Sequence, residues 1–228
     1  MNIKEFLERY RGKNLLEHEA KELLKGMGLS VPRGTFIEKS KPMPAMDLSY
    51  PLVAKVSSRA IASKSDVGGV RLGIKTQEEL KGAVGELMAI ENSGGALVEE
   101  MSPQESKITE VIVGGLIDRQ FGPVVMFGMG GVFVELFKDV AFALAPLGRP
   151  IDRKDALWLI RQVKGHRLLM GYRGKASVDI EALLAVIGAA SEIISTGLVE
   201  EIDLNPVALY PKGAAEGALV LDAKIKVI

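Results

Sequence analysis

Ser63-Lys64-Ser65-Asp66-Val67-Gly68-Gly69-Val70 is a polar loop, closed by two glycines, between two apolar runs. The run before it, Leu52-Val53-Ala54-Lys55-Val56, predicts a buried strand that carries one exposed cation, and Val70-Arg71-Leu72-Gly73-Ile74 predicts the next strand. A lysine beside a loop rich in backbone N–H groups suits a phosphate chain, because the lysine supplies a point charge and glycines let the main chain approach an anion. Glycine pairs also close hairpins that bind nothing, so this segment alone leaves both interpretations open.

Composition excludes several classes of function. Lys and Arg together number 29, as do Asp and Glu, so the formal net charge of zero provides no field that attracts nucleic acid. The absence of cysteine removes disulfide and thiolate chemistry. The N-terminus is charged and lacks the apolar core of a signal peptide, and apolar stretches end well before the ~20 residues that a membrane span needs. We therefore expect a cytoplasmic protein with no nucleic-acid or membrane partner.

The pattern of apolar residues predicts an α+β fold. Helical spacing runs from Ala20 to Met27, and Thr76-Gln77-Glu78-Glu79 is a capping box that opens a second helix. Residues 108–127 predict a strand meander in which Gly114-Gly115 forms a turn. The two halves predict two lobes that meet near Glu100, and clefts between lobes are where ligands bind.

Later helices and strands follow from capping residues and apolar runs. Asp152 and Ser177 are the predicted N-caps of two helices. Two closing strands, about 199–203 and 218–222, are predicted to flank Asn205-Pro206 and a glycine-rich hairpin at 212–217.

Polar oxygens cluster on these last strands. Asp203 and Asn205 are two positions apart, so in an extended segment their side chains point the same way. Asp222 lies within an apolar run and needs a cation, a partner or solvent. A carboxylate and an amide oxygen, completed by waters and phosphate oxygens, fit magnesium. The alternative is structural: Asn205 initiates the turn at its proline, and Asp222 pairs with a lysine such as Lys224.

The strand Leu97-Val98-Glu99-Glu100-Met101, followed by Ser102-Pro103, passes from apolar to polar at the predicted lobe junction. Backbone groups there suit the edge of an adenine, with Met101 packed on its face. An ordinary strand end with solvated glutamates is the alternative.

A long glycine-rich motif lies downstream. It consists of Phe121-Gly122-Pro123-Val124-Val125-Met126-Phe127-Gly128-Met129-Gly130-Gly131-Val132-Phe133-Val134-Glu135, then Lys138-Asp139-Val140-Ala141-Phe142 and Ala145-Pro146-Leu147. With the lysine strand, the glycine loop and Asp203-Leu204-Asn205-Pro206-Val207, it resembles the ATP-grasp superfamily. More narrowly, the chain is similar to β subunits of ADP-forming acetyl-CoA (acyl-CoA) synthetases, relatives of succinyl-CoA synthetase, from near Lys13 to the end.

The resemblance implies an ATP-grasp fold with the nucleotide between two α+β lobes. Residues 1–24 would form a helical segment that packs on the second lobe. Residues 25–100 would form lobe 1, with the Lys55 strand and the phosphate loop. Residues 101–228 would form lobe 2, with the metal and phosphoryl-transfer site.

The resemblance also implies ATP or ADP and Mg²⁺ as ligands. The implied nucleotide-binding residues lie near the phosphates, the adenine or the ribose, and they are Lys55, Ser63, Lys64, Gly68, Gly69, Glu99, Met101 and Glu110. Asn205 and Asp222 would bind magnesium, and Asp203 would be catalytic, facing a phosphohistidine of a partner α subunit. That α subunit would also carry the CoA site, in an α2β2 complex.

One position departs from the family pattern. The family usually has a histidine, proposed as a second phosphate carrier, where this chain has Ser63. Serine cannot form a labile phosphoramidate, so the departure puts a phosphate relay through this loop in question but leaves nucleotide binding intact. His18 and His166 are expected to be solvated side chains or helix C-terminal partners rather than catalysts.

The resulting hypothesis is the nucleotide-binding subunit of an ADP-forming acyl-CoA synthetase, which transfers phosphoryl between ATP and a histidine of the α subunit. One alternative is another ATP-grasp ligase that joins an acid to a thiol or an amine. The other is a non-catalytic nucleotide-binding regulatory subunit, which the serine in the phosphate loop favours.

Overall fold

The structure is a computed structural model that describes residues 1–61, 63–101, 108–131, 137–174 and 176–228. The chain divides into two compact units. The larger comprises Met1–Leu15, Ala20–Val31 and Gln104–Ile228, and the smaller comprises Leu16–Glu19 and Pro32–Pro103. The predicted ATP-grasp lobe boundaries stay a prediction.

The smaller unit is built on a four-stranded antiparallel sheet in the order β1-β4-β2-β3. Its strands are β1 (Gly34–Glu38), β2 (Leu52–Ser57), β3 (Val70–Ile74) and β4 (Gly95–Glu100). Helix α1 (Ile3–Glu8) belongs to the larger unit, and of α2 (Glu17–Gly26) only the first turn belongs to the smaller one. Helix α3 (Gln77–Ala89) connects β3 to β4. Helix α3 packs on one sheet face, where apolar side chains of β2 and β4 form the core.

The larger unit is built on a six-stranded sheet, in which β10-β8-β5-β6-β7 are neighbours and β9 pairs with β8. Its strands are β5 (Thr109–Asp118), β6 (Gly122–Met129), β7 (Val140–Leu144), β8 (Val199–Leu209), β9 (Ala218–Val220) and β10 (Ala223–Val227). Its later helices are α4 (Arg153–Gln162), α5 (His166–Leu169) and α6 (Ile180–Ser195). Helix α6 packs on one face of β5, β6 and β8 and buries the core of this unit. The opposite face bears Asp203 and Asn205.

The predicted α+β class is confirmed, but the predicted turn at Gly114-Gly115 is wrong. Strand β5 runs straight through both glycines because it is the central strand, paired with β6 and β8. A Cβ on Gly115 would lie 2.9 Å from the Val124 carbonyl oxygen, and one on Gly114 would lie 3.2 Å from the Ile202 carbonyl oxygen. These glycines therefore allow close strand packing rather than a turn.

Two helix N-termini are capped by aspartate. Asp152 Oδ1 accepts a hydrogen bond from the Asp155 N–H at 2.8 Å, as predicted. The N-cap of α6 is Asp179, whose Oδ1 accepts from the Ala182 N–H at 3.1 Å, and not the predicted Ser177.

Within the described residues, no helix combines the length and the apolar character needed to cross a bilayer. Trp158, the one tryptophan of the sequence, lies on α4 and is 51% exposed.

Candidate functional site

Lys55 lies at the centre of a buried ionic cluster in the smaller unit. Its Nζ is 2.6 Å from Glu17 Oε1 and 2.9 Å from Glu99 Oε2, and the residue is only 8% exposed. The expectation of an exposed cation on β2 is therefore wrong, because all six residues of this strand are buried. The two carboxylates explain how a lysine is accommodated there, since a buried charge needs a partner of opposite sign.

The strand register explains how Lys55 and Glu99 meet. Lys55 lies opposite Leu97 of β4, and Val53 lies opposite Glu99, so the lysine and the glutamate are diagonal neighbours on one sheet face. That face is the one turned away from α3, because Ala54, Val56 and Val98 belong to the core on the helix side. The first turn of α2 adds Glu17 to the cluster.

The loop that follows β2 is folded back on itself. The Gly68 N–H donates to the Ser65 carbonyl at 3.0 Å, and the Gly69 N–H donates to the Lys64 carbonyl at 2.6 Å. Ser63 Oγ accepts a long hydrogen bond from the Asp66 N–H at 3.4 Å. Three backbone donors that the sequence suggested for phosphate are thus used within the loop, and the Lys64 side chain reaches back to Glu17 Oε2 at 2.6 Å.

The two glycines of this loop have structural reasons of their own. Gly68 adopts φ +60°, a conformation that favours glycine. A Cβ on Gly69 would lie 2.3 Å from Val56 Cγ1 and 2.9 Å from the Lys64 carbonyl oxygen, so only glycine lets the loop pack on β2. The packing of the loop therefore explains why two glycines occur here. The hypothesis that the loop binds phosphate depends instead on Lys55 and Lys64.

Glu99 and Met101, the residues predicted to contact adenine, are bonded to other residues of the smaller unit. Glu99 is 1% exposed and paired with Lys55. The Met101 N–H donates to the Pro51 carbonyl at 3.0 Å, and Met101 Sδ accepts from the Gly73 N–H at 3.1 Å. A contact of Glu99 or Met101 with adenine stays a prediction. Ser102 and Pro103, the end of the predicted hinge, lie outside the described residues.

Glu110 lies in the larger unit, on β5, with an exposed side chain. Its carbonyl accepts a hydrogen bond from the Gly130 N–H at 2.8 Å. A Cβ on Gly130 would lie 2.7 Å from the Glu110 carbonyl carbon, so glycine is required where the end of β6 approaches β5. The contact of Glu110 with a ribose stays a prediction.

Asp203 and Asn205 lie at a β-bulge of β8. Between the pairs Val111↔Val207 and Val113↔Leu204, strand β5 has one residue and β8 has two, Asn205 and Pro206. Strand β8 continues past this bulge to Leu209, so the first closing strand is longer than predicted and the alternative in which Asn205 initiates a turn is wrong. Because a bulge leaves a residue outside the ladder and re-aims its side chain, it is a common device beside functional sites.

Asp222 is brought next to this bulge. It lies between β9 and β10, where its carbonyl accepts a hydrogen bond from the Asn205 N–H at 3.2 Å. Asp203 and Asn205 flank the buried Leu204, so both side chains leave the core for the open face of the sheet. Lys224 lies opposite Asp203 in the register.

The donor set at the bulge fits a magnesium ion. Asn205 is exposed and Asp222 is half-buried, and their oxygens are of the hard type that magnesium prefers. No group of three or more His, Cys, Asp or Glu side chains able to hold a metal occurs among the described residues. A magnesium ion held by Asn205 and Asp222 would keep several waters and take its other ligands from a phosphate chain.

The long glycine-rich motif contributes a buried aspartate that sequence reasoning did not single out. Asp139 is buried, and its two carboxylate oxygens accept hydrogen bonds from the Lys164 and Gly165 N–H groups, both at 2.7 Å. This aspartate therefore holds the segment before α5. A cleft of about 410 Å³ opens beside it. Residues 132–136 of the motif lie outside the described residues.

One of the two expectations for the histidines is wrong, and His166 contacts a helix C-terminus as expected. His18 is half-buried and stacks on Phe36, with ring centroids 4.1 Å apart, so the expectation of a solvated side chain is wrong. His166 Nδ1 lies 3.1 Å from the Val163 carbonyl oxygen. Neither histidine lies in the phosphate loop.

The structure thus forms two clusters of candidate residues. In the smaller unit it joins Lys55, Lys64 and Glu99 through Glu17. In the larger unit it brings Asp203, Asn205 and Asp222 to one place on the sheet. Glu17 was missed because an acidic residue in the first turn of a helix is ordinary, and nothing local indicates the two lysines that it contacts.

Comparison with known proteins gives these clusters a context. The family model for the ATP-grasp domain matches residues 7–227. The β subunit of acetate–CoA ligase (ADP-forming) I of Pyrococcus furiosus is 37% identical over 234 residues, covering 97% of this chain and 96% of that subunit. Acetate–CoA ligase (ADP-forming) II of Archaeoglobus fulgidus is 41% identical over 215 residues, covering 93% of this chain but 30% of that longer protein.

A solved structure shows the same fold. Acetyl-coenzyme A synthetase 1 of Ca. Korarchaeum cryptofilum, in complex with coenzyme A and Mg-AMPPCP, has its phosphohistidine segment pointing towards the nucleotide-binding site. The likeness has a TM-score of 0.78 at 38% identity and covers 100% of both chains. Both the predicted family and the predicted fold are confirmed. The chain belongs to the ATP-grasp family, among the β subunits of ADP-forming acetate–CoA ligases.

Proposed function

We propose that this chain is the nucleotide-binding subunit of an ADP-forming acyl-CoA synthetase. It transfers phosphoryl between ATP or ADP and a histidine of a partner α subunit, in the overall reaction acyl-CoA + ADP + phosphate = acid + ATP + CoA. The α subunit carries the CoA site and the phosphohistidine. The observation that carries this proposal is the placement of Asp203 and Asn205 on one open sheet face, with the Asp222 carbonyl hydrogen-bonded to the Asn205 N–H.

The phosphates of the nucleotide are assigned to the lysine cluster. Lys55 and Lys64 supply two ammonium groups that one carboxylate holds together. Asn205 and Asp222 would hold the magnesium ion, which supplies positive charge to the phosphate chain when it is bound. Neutralising the charge on the transferred phosphoryl group is the main source of catalysis in such reactions.

Asp203 is assigned to the incoming histidine. A carboxylate that accepts a hydrogen bond from imidazole Nδ1–H leaves the Nε2 lone pair free to attack the γ-phosphorus. The new P–N bond forms as the bond to the ADP oxygen breaks, and the ring keeps its Nδ1 proton. Asp203 then stabilises the positive charge of the phosphorylated ring.

Exposed apolar side chains support a protein partner on the Asp203 face. Gly114 lies opposite Asp203, and Leu116, two residues further along β5, is on the same face. The register Leu116↔Val124↔Leu144 extends this face to β7, where Phe142 and Leu144 are exposed. Exposed apolar patches mark protein interfaces. We assign this one to the histidine-carrying α subunit, in the proposed α2β2 complex.

Two alternatives and the cellular location belong to the same proposal. Another ATP-grasp ligase would use the same two clusters. A regulatory subunit would bind the nucleotide without transferring phosphoryl, and Ser63 in the loop is the observation that favours it. We place the complex in the cytoplasm, away from nucleic acid and membranes.

A labelling experiment separates these functions. The chain is purified alone and as a complex from its native extract, and both are incubated with γ-labelled ATP and magnesium. We expect acid-labile, base-stable label on the partner subunit and none on the isolated chain. Label at His18 or His166 of this chain would contradict the assignment of the phosphorylated histidine to the partner subunit. Nucleotide binding with no label on the partner would favour the regulatory alternative.

A further inference from the structure

Glu17 contacts both lysines of the proposed phosphate site, although no sequence motif drew attention to it. Its Oε1 is 2.6 Å from Lys55 Nζ, and its Oε2 is 2.6 Å from Lys64 Nζ. The Glu17 side chain is 3% exposed, so these contacts are shielded from solvent. One carboxylate therefore connects the lysine of strand β2 with the lysine of the loop that follows it.

The charges of this cluster balance. Lys55 and Lys64 carry two positive charges, and Glu17 and Glu99 carry two negative charges. Without the Glu17 carboxylate, Lys55 would keep its ion pair with Glu99, and Lys64 would lose the 2.6 Å contact that connects it to Lys55. Because Lys64 is the more exposed of the two lysines, its side chain would turn towards solvent.

We propose that Glu17 is a positioning residue for phosphate binding, which holds Lys55 and Lys64 at the spacing that a di- or triphosphate needs. It acts through the lysines and does not touch the nucleotide. This inference rests on the proposed function, since it takes these lysines to be the ones that contact the phosphates.

The chain offers a matched control on the same helical turn. Glu19 Oε1 is 2.6 Å from Arg59 Nη2, and the Glu19 side chain is 12% exposed. Glu19 also accepts a hydrogen bond from the Leu16 N–H at 2.7 Å. It thus forms an ion pair as short as those of Glu17, with a cation that is not assigned to the nucleotide.

The test measures binding of ADP and of adenosine to the full chain by calorimetry with magnesium. Glu17→Gln should weaken ADP binding by about tenfold, which corresponds to roughly 1.4 kcal/mol. Adenosine binding should change by less than about twofold, because adenosine has no phosphate for the lysines to hold. Glu19→Gln should leave the ratio of the two affinities unchanged.

A double-mutant cycle keeps the inference testable if Glu17→Gln destabilises the chain. In the Lys64→Gln background, Glu17→Gln should add little further loss of ADP affinity, since the two residues act as one unit. Glu17→Asp, which retains the charge, should recover part of the loss. Equal loss of ADP and adenosine binding would show a merely structural role and overturn the inference.

Failure of the inference and failure of the proposed function give different results. If the unaltered chain binds ADP no better than adenosine, the assignment of the phosphate site is wrong. If it prefers ADP and Glu17→Gln keeps that preference, or strengthens it, only the role of Glu17 is wrong.

Discussion

The two candidate clusters are held in place by different means. In the smaller unit, Lys55 and Glu99 are buried and positioned by ion pairs between side chains. In the larger unit, Asp203 and Asn205 are positioned by the backbone, through a β-bulge and a hydrogen bond to the Asp222 carbonyl. A substitution in the first cluster should therefore change both nucleotide binding and the stability of the fold. A substitution in the second cluster can change binding or catalysis and leave the fold intact. Substitutions can test this contrast.

Lys55→Met should have the largest effect on stability. It leaves Glu17 and Glu99 as buried carboxylates without their shared cation, which costs about 3 kcal/mol or more in comparable buried pairs. Hydrogen exchange of the β2 and β4 amides measures this loss within the smaller unit. Adding Glu17→Gln to Lys55→Met should recover part of the lost stability. A Lys55→Met chain as stable as the parent would show that binding and stability are not coupled at this cluster.

Asp203→Asn should have the largest effect on catalysis. The amide cannot stabilise a positively charged imidazole, so phosphorylation of the partner should fall by ~100-fold or more. ATP affinity should change little, as measured by calorimetry. Glu201→Gln is the matched control, because Glu201 is an exposed carboxylate two residues away on β8, opposite Lys226. Equal effects of the two substitutions would mean that only the surface charge matters.

Asp222→Ala should act through magnesium. Nucleotide affinity should fall on the order of tenfold with magnesium present and by less than about twofold with a chelator. The unfolding midpoint without nucleotide should stay close to that of the parent chain, because Asp222 is half-buried at a strand end rather than in a core. Equal losses with and without metal, or a large drop in the midpoint, would instead favour a structural salt bridge.

Ser63→Ala should have the smallest effect. Its hydroxyl makes one long hydrogen bond, 3.4 Å, to the Asp66 N–H, so transfer to the partner should stay within about twofold. Ser63→His introduces the residue that the family resemblance implies at this position. A large gain in transfer rate from this substitution would show that phosphate can pass through the loop, which direct transfer does not require.

Local sequence patterns predicted most of the fold but not the contacts that depend on distant residues. The helices that begin after Thr76 and Asp152 follow from capping residues a few positions away. The burial of Lys55 depends on Glu17, 38 residues earlier in the chain. Gly114-Gly115 has the composition of a turn, and only the approach of β6 and β8 makes it a strand.

The candidate site shows the same difference between what local patterns predict and what depends on distant residues. Their spacing on the last strands and the family resemblance both indicated Asp203, Asn205 and Asp222, and the structure brings these positions together at the bulge. The bulge that separates Asn205 from the regular ladder has no sequence signal, because an Asn-Pro pair is equally typical of a turn. Glu17 could be found only once α2 and β2 were seen in contact.

The position of Trp158 determines what optical experiments on this chain can report. It is the one tryptophan, and it lies half exposed on α4 of the larger unit. Fluorescence excited selectively at tryptophan therefore reports on the surface around α4. The smaller unit contains no tryptophan and does not contribute to this emission. A change in Trp158 emission would indicate a change of surroundings at α4, whereas rearrangement of the lysine cluster calls for a label introduced into the smaller unit.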